Sequence, residues 1–225
     1  MPDIKRFCFN LFREHCTIIW KDRSKAVVID PGMYSDKEVK EFSDFVSSEG
    51  LGIAAVLLTH AHADHIFSAK FVQDRYGAVV YMNPEDREGF EYCKELASTI
   101  GMKAPDCSFT TTDIADGDTI EAGGFSFQVI TTPGHTPGSV CYYDAEDKIM
   151  FTGDTLMAGT IGRTDLTGGD YDKEIVSIME KLMFLDGDIR IFPGHGETST
   201  ISDERTGNPF LQPFNEPEET IIEED

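Results

Sequence analysis

No stretch of this chain approaches the ~20 consecutive apolar residues of a membrane-spanning helix, so no spanning segment is expected. Its opening, Met1-Pro-Asp-Ile-Lys-Arg-Phe-Cys-Phe-Asn10, has no apolar stretch of the kind a secretory leader carries. Basic residues are scarce: 19 Lys and Arg stand against 41 Asp and Glu, a formal charge of −22. So acidic a chain lacks the positive field that a phosphate backbone requires, which argues against a nucleic-acid partner, and an anionic membrane surface would repel it for the same reason. Cysteines number five. Cys8, Cys16, Cys93, Cys107 and Cys141 are odd in count, and no pair has C-x-x-C spacing, so neither a disulfide framework nor a zinc knuckle is expected. Free or buried thiols fit a reducing compartment, and a cytoplasmic location is expected. No internal repeat and no Pro-, Gly- or Ser-rich linker divides the chain, and nothing in it sets an oligomeric state.

What is present suffices for a sizeable core: 225 residues, 40% hydrophobic and 27% charged, within the globular range. One domain over residues 1–215 is expected, followed by an acidic, mobile tail at 216–225. Phe7–Phe9, Thr17–Trp20 and Ala26–Ile29 read as strands of a meander, stopped by Asp30-Pro31-Gly32. Ser35-Asp-Lys-Glu38 is a capping box; Val39, Phe42, Phe45 and Val46 follow at helical spacing, and Gly50 ends that helix. Ile53–Leu58 is a continuous apolar run, as in a strand buried on both faces. After Thr59–His65 a helix is expected through Tyr76, then a strand at Ala78–Tyr81. A helix opening at Asn83-Pro84 places Phe90, Cys93, Ala97 and Ile100 on one face. Strands follow near Thr119–Ile120, at Phe125–Thr131, Ser139–Tyr143 and Lys148–Phe151. A helix at Asp172–Leu185 and a strand at Ile189–Phe192 complete the pattern. Clustered strands with interleaved helices suggest an α+β chain of two packed sheets with helices outside, although the order alone leaves other α/β arrangements open.

Five of the six histidines lie in three short loops after these strands. The first is His60-Ala-His-Ala-Asp-His65, the second Thr132-Pro-Gly-His135 and the third Pro193-Gly-His-Gly196. A fourth loop, Thr152-Gly-Asp154, ends another strand on a carboxylate. A near-extended chain points His60 and His62 to one side, because side chains alternate with period two. Asp64 and His65 come after the turn and approach from a second direction. Ligand-type side chains so dense can flank two ions, and neutral imidazole with carboxylate suits zinc, and also iron or manganese. A lone histidine would read as a solvated surface group; this grouping does not. His15, alone in an expected hairpin, does.

The pattern His60-x-His62-x-Asp64-His65, with His135, Asp154 and His195 downstream in that order, resembles the metallo-β-lactamase fold superfamily. The resemblance covers residues 59–196 and implies a four-layer αββα sandwich, two mixed sheets with helices outside and metals at one edge. Thr132-Pro-Gly-His-Thr-Pro-Gly138 and Gly153-Asp-Thr-Leu-Met-Ala-Gly159 are similar to loops of the glyoxalase II (hydroxyacylglutathione hydrolase) group. Carried over, His60, His62 and His135 would hold one metal, Asp64, His65 and His195 a second, and Asp154 would bridge two Zn²⁺. Asp30 would orient a ligand histidine, or simply form the turn before Pro-Gly. Arg163 falls where that group places a cationic glutathione contact; its alternative is a surface arginine in a Gly-rich loop.

The implied activity is hydrolysis of a small-molecule thioester, such as S-lactoylglutathione or another hydroxyacyl-thiol, by a metal-bridging hydroxide, with Asp64 and Asp154 as catalytic carboxylates. The alternatives are a mononuclear-iron persulfide dioxygenase, or a lactone or ester hydrolase. The chain departs from relatives in three ways. Asp154 is not the cysteine of many β-lactamases, which disfavours antibiotic cleavage. Asp165 stands where a tyrosine would be expected. The chain also ends about thirty residues after His195, short of the C-terminal helical domain of larger glyoxalase II enzymes.

Overall fold

The computed structural model describes residues 1–212, so the expected acidic tail lies outside the described residues. The first sheet runs, in spatial and chain order, β1 (Asp3–Arg6), β2 (Thr17–Trp20), β3 (Ala26–Ile29), β4 (Ile53–Leu57), β5 (Val79–Met82) and β6 (Thr112–Asp113). β1 to β3 pair antiparallel, and β3 to β6 pair parallel. The second sheet contains β7 (Thr119–Ala122), β8 (Phe125–Thr131), β9 (Val140–Asp144) and β10 (Ile149–Gly153) as an antiparallel meander. β11 (Leu156–Met157) and β12 (Thr160–Ile161) form a small separate ribbon. β13 (Arg190–Pro193) then adds parallel to β10, and β14 (Ser199–Thr200) closes that edge.

Six α-helices lie outside the strands among the described residues: α1 (Asp36–Ser48), α2 (Ala63–Ile66), α3 (Ala69–Tyr76), α4 (Gly89–Thr99), α5 (Tyr171–Ser177) and α6 (Ile201–Gly207). None is long and apolar enough to cross a membrane.

Strand alternation explains the layering. In β2, Ile18 and Trp20 face a core shared with Phe42 and Val46 of α1, whereas Ile19 faces the other sheet. In β9, Val140 and Tyr142 face inward, and Cys141 faces a third core with Ile175 of α5 and Ile201 of α6. Each sheet is therefore apolar on both faces, and three cores separate four layers, helix–sheet–sheet–helix. The αββα expectation holds. The capping box also forms: the Ser35 hydroxyl accepts from Glu38 N, and the Glu38 carboxylate accepts from Ser35 N at 2.8 Å.

Several boundaries differ from the sequence reading. The first strand is Asp3–Arg6 rather than Phe7–Phe9. Those two rings stack at 5.0 Å as core anchors, and the chain then turns at Asn10 and Arg13, both at positive φ. The expected single helix through Tyr76 is broken at Ser68, whose N–H donates to Pro31 O and whose hydroxyl donates to Met33 O. Asn83-Pro84 opens a short 3₁₀ turn, with α4 starting only at Gly89. The helix expected to Leu185 is α5 followed by a π turn at Ile178–Leu182, which keeps Ile178 and Leu182 buried.

Topology gathers the chain's reactive loops. β3 and β4 are parallel neighbours, so Asp30 and Thr59 follow strands ending at the same edge. β10 and β13 are likewise parallel, and β8 runs in their direction with β9 between. The segments leaving β4, β8, β10 and β13 therefore meet along one edge of the sandwich. Two bonds pin the sheets there: Val140 N–H donates to Thr59 O at 2.9 Å, and the fully buried Tyr142 hydroxyl donates to Leu58 O at 2.7 Å. Tyr142→Phe would leave the Leu58 carbonyl without that donor. Denaturant unfolding should show a loss of about 1–3 kcal/mol; unchanged stability would show that the bond contributes nothing net.

Candidate metal centre

The four loops bring their ligand-type side chains into one cluster. Donor atoms of His60, His62 and His135 lie within 4.8 Å of one another, and so do those of Asp64, His65 and His195. Asp154 lies between the two sets. Its Oδ2 is 3.6 Å from His135 Nε2 and 3.5 Å from His195 Nε2, and its Oδ1 is 3.5 Å from His65 Nε2. Asp64 Oδ2 is 3.3 Å from His195 Nε2.

Four of the five rings are tied down at the rear. His135 Nδ1–H donates to Arg163 O at 2.7 Å, and His195 Nδ1–H donates to Phe12 O at 3.1 Å. His65 Nδ1–H donates to Asp30 Oδ2 at 3.0 Å. Thr59 spends its only hydroxyl proton on Asp30 Oδ2 at 2.6 Å, so it accepts from His60 Nδ1–H at 3.1 Å. With Nδ1 protonated, a neutral imidazole turns an Nε2 lone pair inward. His60 Nε2 and His135 Nε2 then face each other at 3.2 Å, and His65 Nε2 and His195 Nε2 at 3.3 Å. Opposed lone pairs at such distances require a cation or a proton between them.

Electrostatics point the same way. Burial holds His60 well below the ordinary imidazole range and pushes His62 down to about 3, so both are neutral ligands at neutral pH. Burial alone would raise the Asp154 carboxyl, but His65 and its neighbours outweigh it and hold Asp154 well below the ordinary range. Burial would likewise lower His65, yet the carboxylates of Asp154, Asp64 and Asp30 hold it well above. A proton on His65 thus partly offsets the buried carboxylates, a charge that a divalent cation supplies more fully. Asp154 Oδ1 is also buried without any hydrogen-bond partner, an expensive arrangement unless a cation meets it. The donor set fits a pair of divalent metal ions.

Asp30 lies beside the cluster, accepting from Thr59 N, Thr59 Oγ1 and His65 Nδ1. It does so at φ +48°, a left-handed conformation that costs of order 1 kcal/mol and is tolerated because the surroundings fix it. Gly194 is required by close approach: a Cβ there would collide with Asp154 Oδ1 and with His65 Cε1. Arg163 lines the cavity onto which His62, Asp64, His135, Asp154 and His195 open, with its side chain bonded to both oxygens of Asp165 at 2.7 and 2.9 Å. Its carbonyl, rather than its guanidinium, touches a cluster residue. His15 is outside both donor sets, although its N–H donates to Gly194 O at 2.7 Å.

Three buried carboxyl groups around the cluster escaped the sequence reading. Asp86 accepts from Ala61 N, Thr136 Oγ1 and Gly138 N at 2.6–2.9 Å, lacing the first histidine loop to the second. Glu174 Oε2 accepts from His135 N at 2.8 Å, and burial raises its pKa to about 8. It stands four residues before Ile178 and eight before Leu182 on the buried stripe, and a carboxylate in such a stripe was the available signal. Glu14 is fully buried with neither oxygen hydrogen-bonded, and burial pushes its carboxyl well up; nothing in its spacing marked it.

Comparison with known proteins adds three findings. A model of the metallo-beta-lactamase superfamily matches residues 10–195. The hydroxyacylglutathione hydrolase GloC of Haemophilus influenzae is 36% identical over 206 residues, covering 89% of this chain and 93% of that protein. Among solved structures, BLEG-1 B3 metallo-beta-lactamase superposes with a TM-score of 0.85 at 32% identity, covering 93% of this chain and 99% of that one. TTHA1623 in a di-iron-bound form gives 0.80 at 31% identity, covering 92% and 100%.

Asp30→Asn would place an amide N–H₂ against one of the donors Asp30 now serves. We expect a roughly 10–100-fold loss in divalent-metal affinity, read by chelator competition. Unchanged affinity would refute the orienting role.

Proposed function

We propose that this chain, which belongs to the metallo-beta-lactamase superfamily, is a binuclear metallo-hydrolase that cleaves thioesters, hydroxyacylglutathione among them. The observation that carries this reading is the pair of adjacent donor sets with Asp154 between them, open to a cavity. His60, His62 and His135 would hold one ion, Asp64, His65 and His195 the other, and Asp154 both. When bound, such ions supply Lewis acidity, acidifying water to a pKa of roughly 7 and polarising a carbonyl. Zinc is our assignment; imidazole and carboxylate also suit iron or manganese, and the similar TTHA1623 has been solved with two irons.

The chain's own part is to fix and to orient. Hydrogen bonds from four Nδ1 atoms lock the rings, so ligand geometry is set before substrate arrives. Asp154 and Asp64 remain ionised and so can orient a water held beside them by accepting its hydrogen bond. A departing thiolate needs little help from an acid, since free thiols titrate near 8.5. Arg163 is the cation lining the substrate side of the cavity. The match to GloC supports the thioester as substrate class.

Zinc-loaded protein should release thiol stoichiometrically from S-lactoylglutathione or a simpler thioester. Asp154→Asn should lower kcat/KM by roughly 10–100-fold or more. Oxygen uptake with glutathione persulfide in place of thiol release would overturn the reading, as would turnover of a β-lactam alone.

A further inference from the structure

The cluster forms the floor of a cavity of ≈ 560 Å³. Phe12 from the β1–β2 loop, Phe67 after α2, Leu96 and Ile100 at the end of α4, Met157 of β11 and Leu166 form its walls. Beyond the cluster itself, the charged side chain among the described lining residues is Arg163, and Asp165 already meets its guanidinium with both oxygens. The thiol of Cys93, also in the lining, donates to Ala61 O. Two large apolar side chains at this cavity stand open to solvent, Ile100 at 49% and Phe12 at 45% exposure.

We propose that the group bound against these walls is an apolar acyl chain, so that the preferred substrates are medium-chain acyl thioesters rather than short hydroxyacyl ones. This rests on the thioesterase reading above and specifies its substrate. Beyond the carbon that neighbours the reacting carbonyl, an acyl group runs among Leu, Ile, Met and Phe side chains, where a polar substituent would meet a costly burial. An alkyl chain instead covers Ile100 and Phe12 and gains from every methylene removed from water. The cavity is also far larger than a three-carbon hydroxyacyl group fills, and within the ordinary range for ligands of several hundred Å³. Away from the cluster, a polyanionic thiol would meet one arginine among the described lining residues, already paired with Asp165, and the chain's charge of −22 opposes it. Selection therefore falls on the acyl half.

The test uses the metal-loaded chain and N-acetylcysteamine thioesters carrying acetyl, butanoyl, hexanoyl and octanoyl groups, with S-lactoylglutathione beside them. kcat/KM should rise roughly fourfold per added methylene until the cavity fills, and S-lactoylglutathione should fall below the octanoyl compound. Ile100→Glu, a change at a half-exposed position, should reduce the octanoyl-to-acetyl ratio. Calorimetric binding of octanoate against acetate supplies a readout without turnover, and octanoate should bind more tightly. Tight octanoate binding without cleavage of any thioester would sustain the apolar site and remove the thioesterase reading. Thioester cleavage with a flat chain-length profile and S-lactoylglutathione fastest would overturn the apolar site and leave the thioesterase reading intact.

Discussion

Two pairs of imidazole nitrogens face each other at 3.2 and 3.3 Å around a buried carboxylate whose Oδ1 has no hydrogen-bond partner. Left to themselves, these groups repel or pay for desolvation. Every nearby feature of the molecule holds them there regardless. The rings are tied from behind by Asp30, Thr59 and the carbonyls of Arg163 and Phe12. Glycine at 194 lets the His195 loop approach Asp154. Such an arrangement makes physical sense as a set of side chains suited to divalent cations.

The sandwich makes the cage possible. Parallel neighbours β3 and β4 in one sheet, and β10 and β13 in the other, end at the same edge, so four loops distant in sequence meet without long excursions. Asp86 and Glu174 then fasten the loops to one another and to α5. Short loops at the ends of the strands carry most of these side chains, and the bonds of Asp86 and Glu174 hold those loops in place. Above this polar floor the walls are apolar. Chemistry and selectivity are thus divided between the strand ends and α4 with its neighbours.

Much of this was legible in the chain's letters. The ligand loops could be read because histidine and aspartate packed at two-residue spacing after an apolar strand suit a buried metal site and serve no purpose in a solvated turn. The capping box at Ser35 and the strand runs at Thr17–Trp20, Ala26–Ile29 and Ile53–Leu57 were equally readable, since local pattern and burial agree there. Elements fixed by distant contacts were not. β1 carries Asp3, Lys5 and Arg6 and is a strand because β2 pairs with it. The break at Ser68 depends on carbonyls of residues 31 and 33. Asp86 looks like a turn-surface acid until the loops it binds are brought to it, and Glu174 is marked only by its place on a buried stripe, not by the partner it serves. Arg163 was singled out only through the resemblance, as a glutathione contact or else a surface arginine; its place in the cavity lining, its pairing with Asp165 and the service of its carbonyl to His135 are three-dimensional facts.

The most direct measurement is anomalous diffraction at the zinc edge from crystals of the zinc-saturated chain. Two peaks are expected, one enclosed by His60, His62 and His135 and the other by Asp64, His65 and His195, both touching Asp154. A single peak, or metal bound away from these side chains, would contradict the two-ion cage.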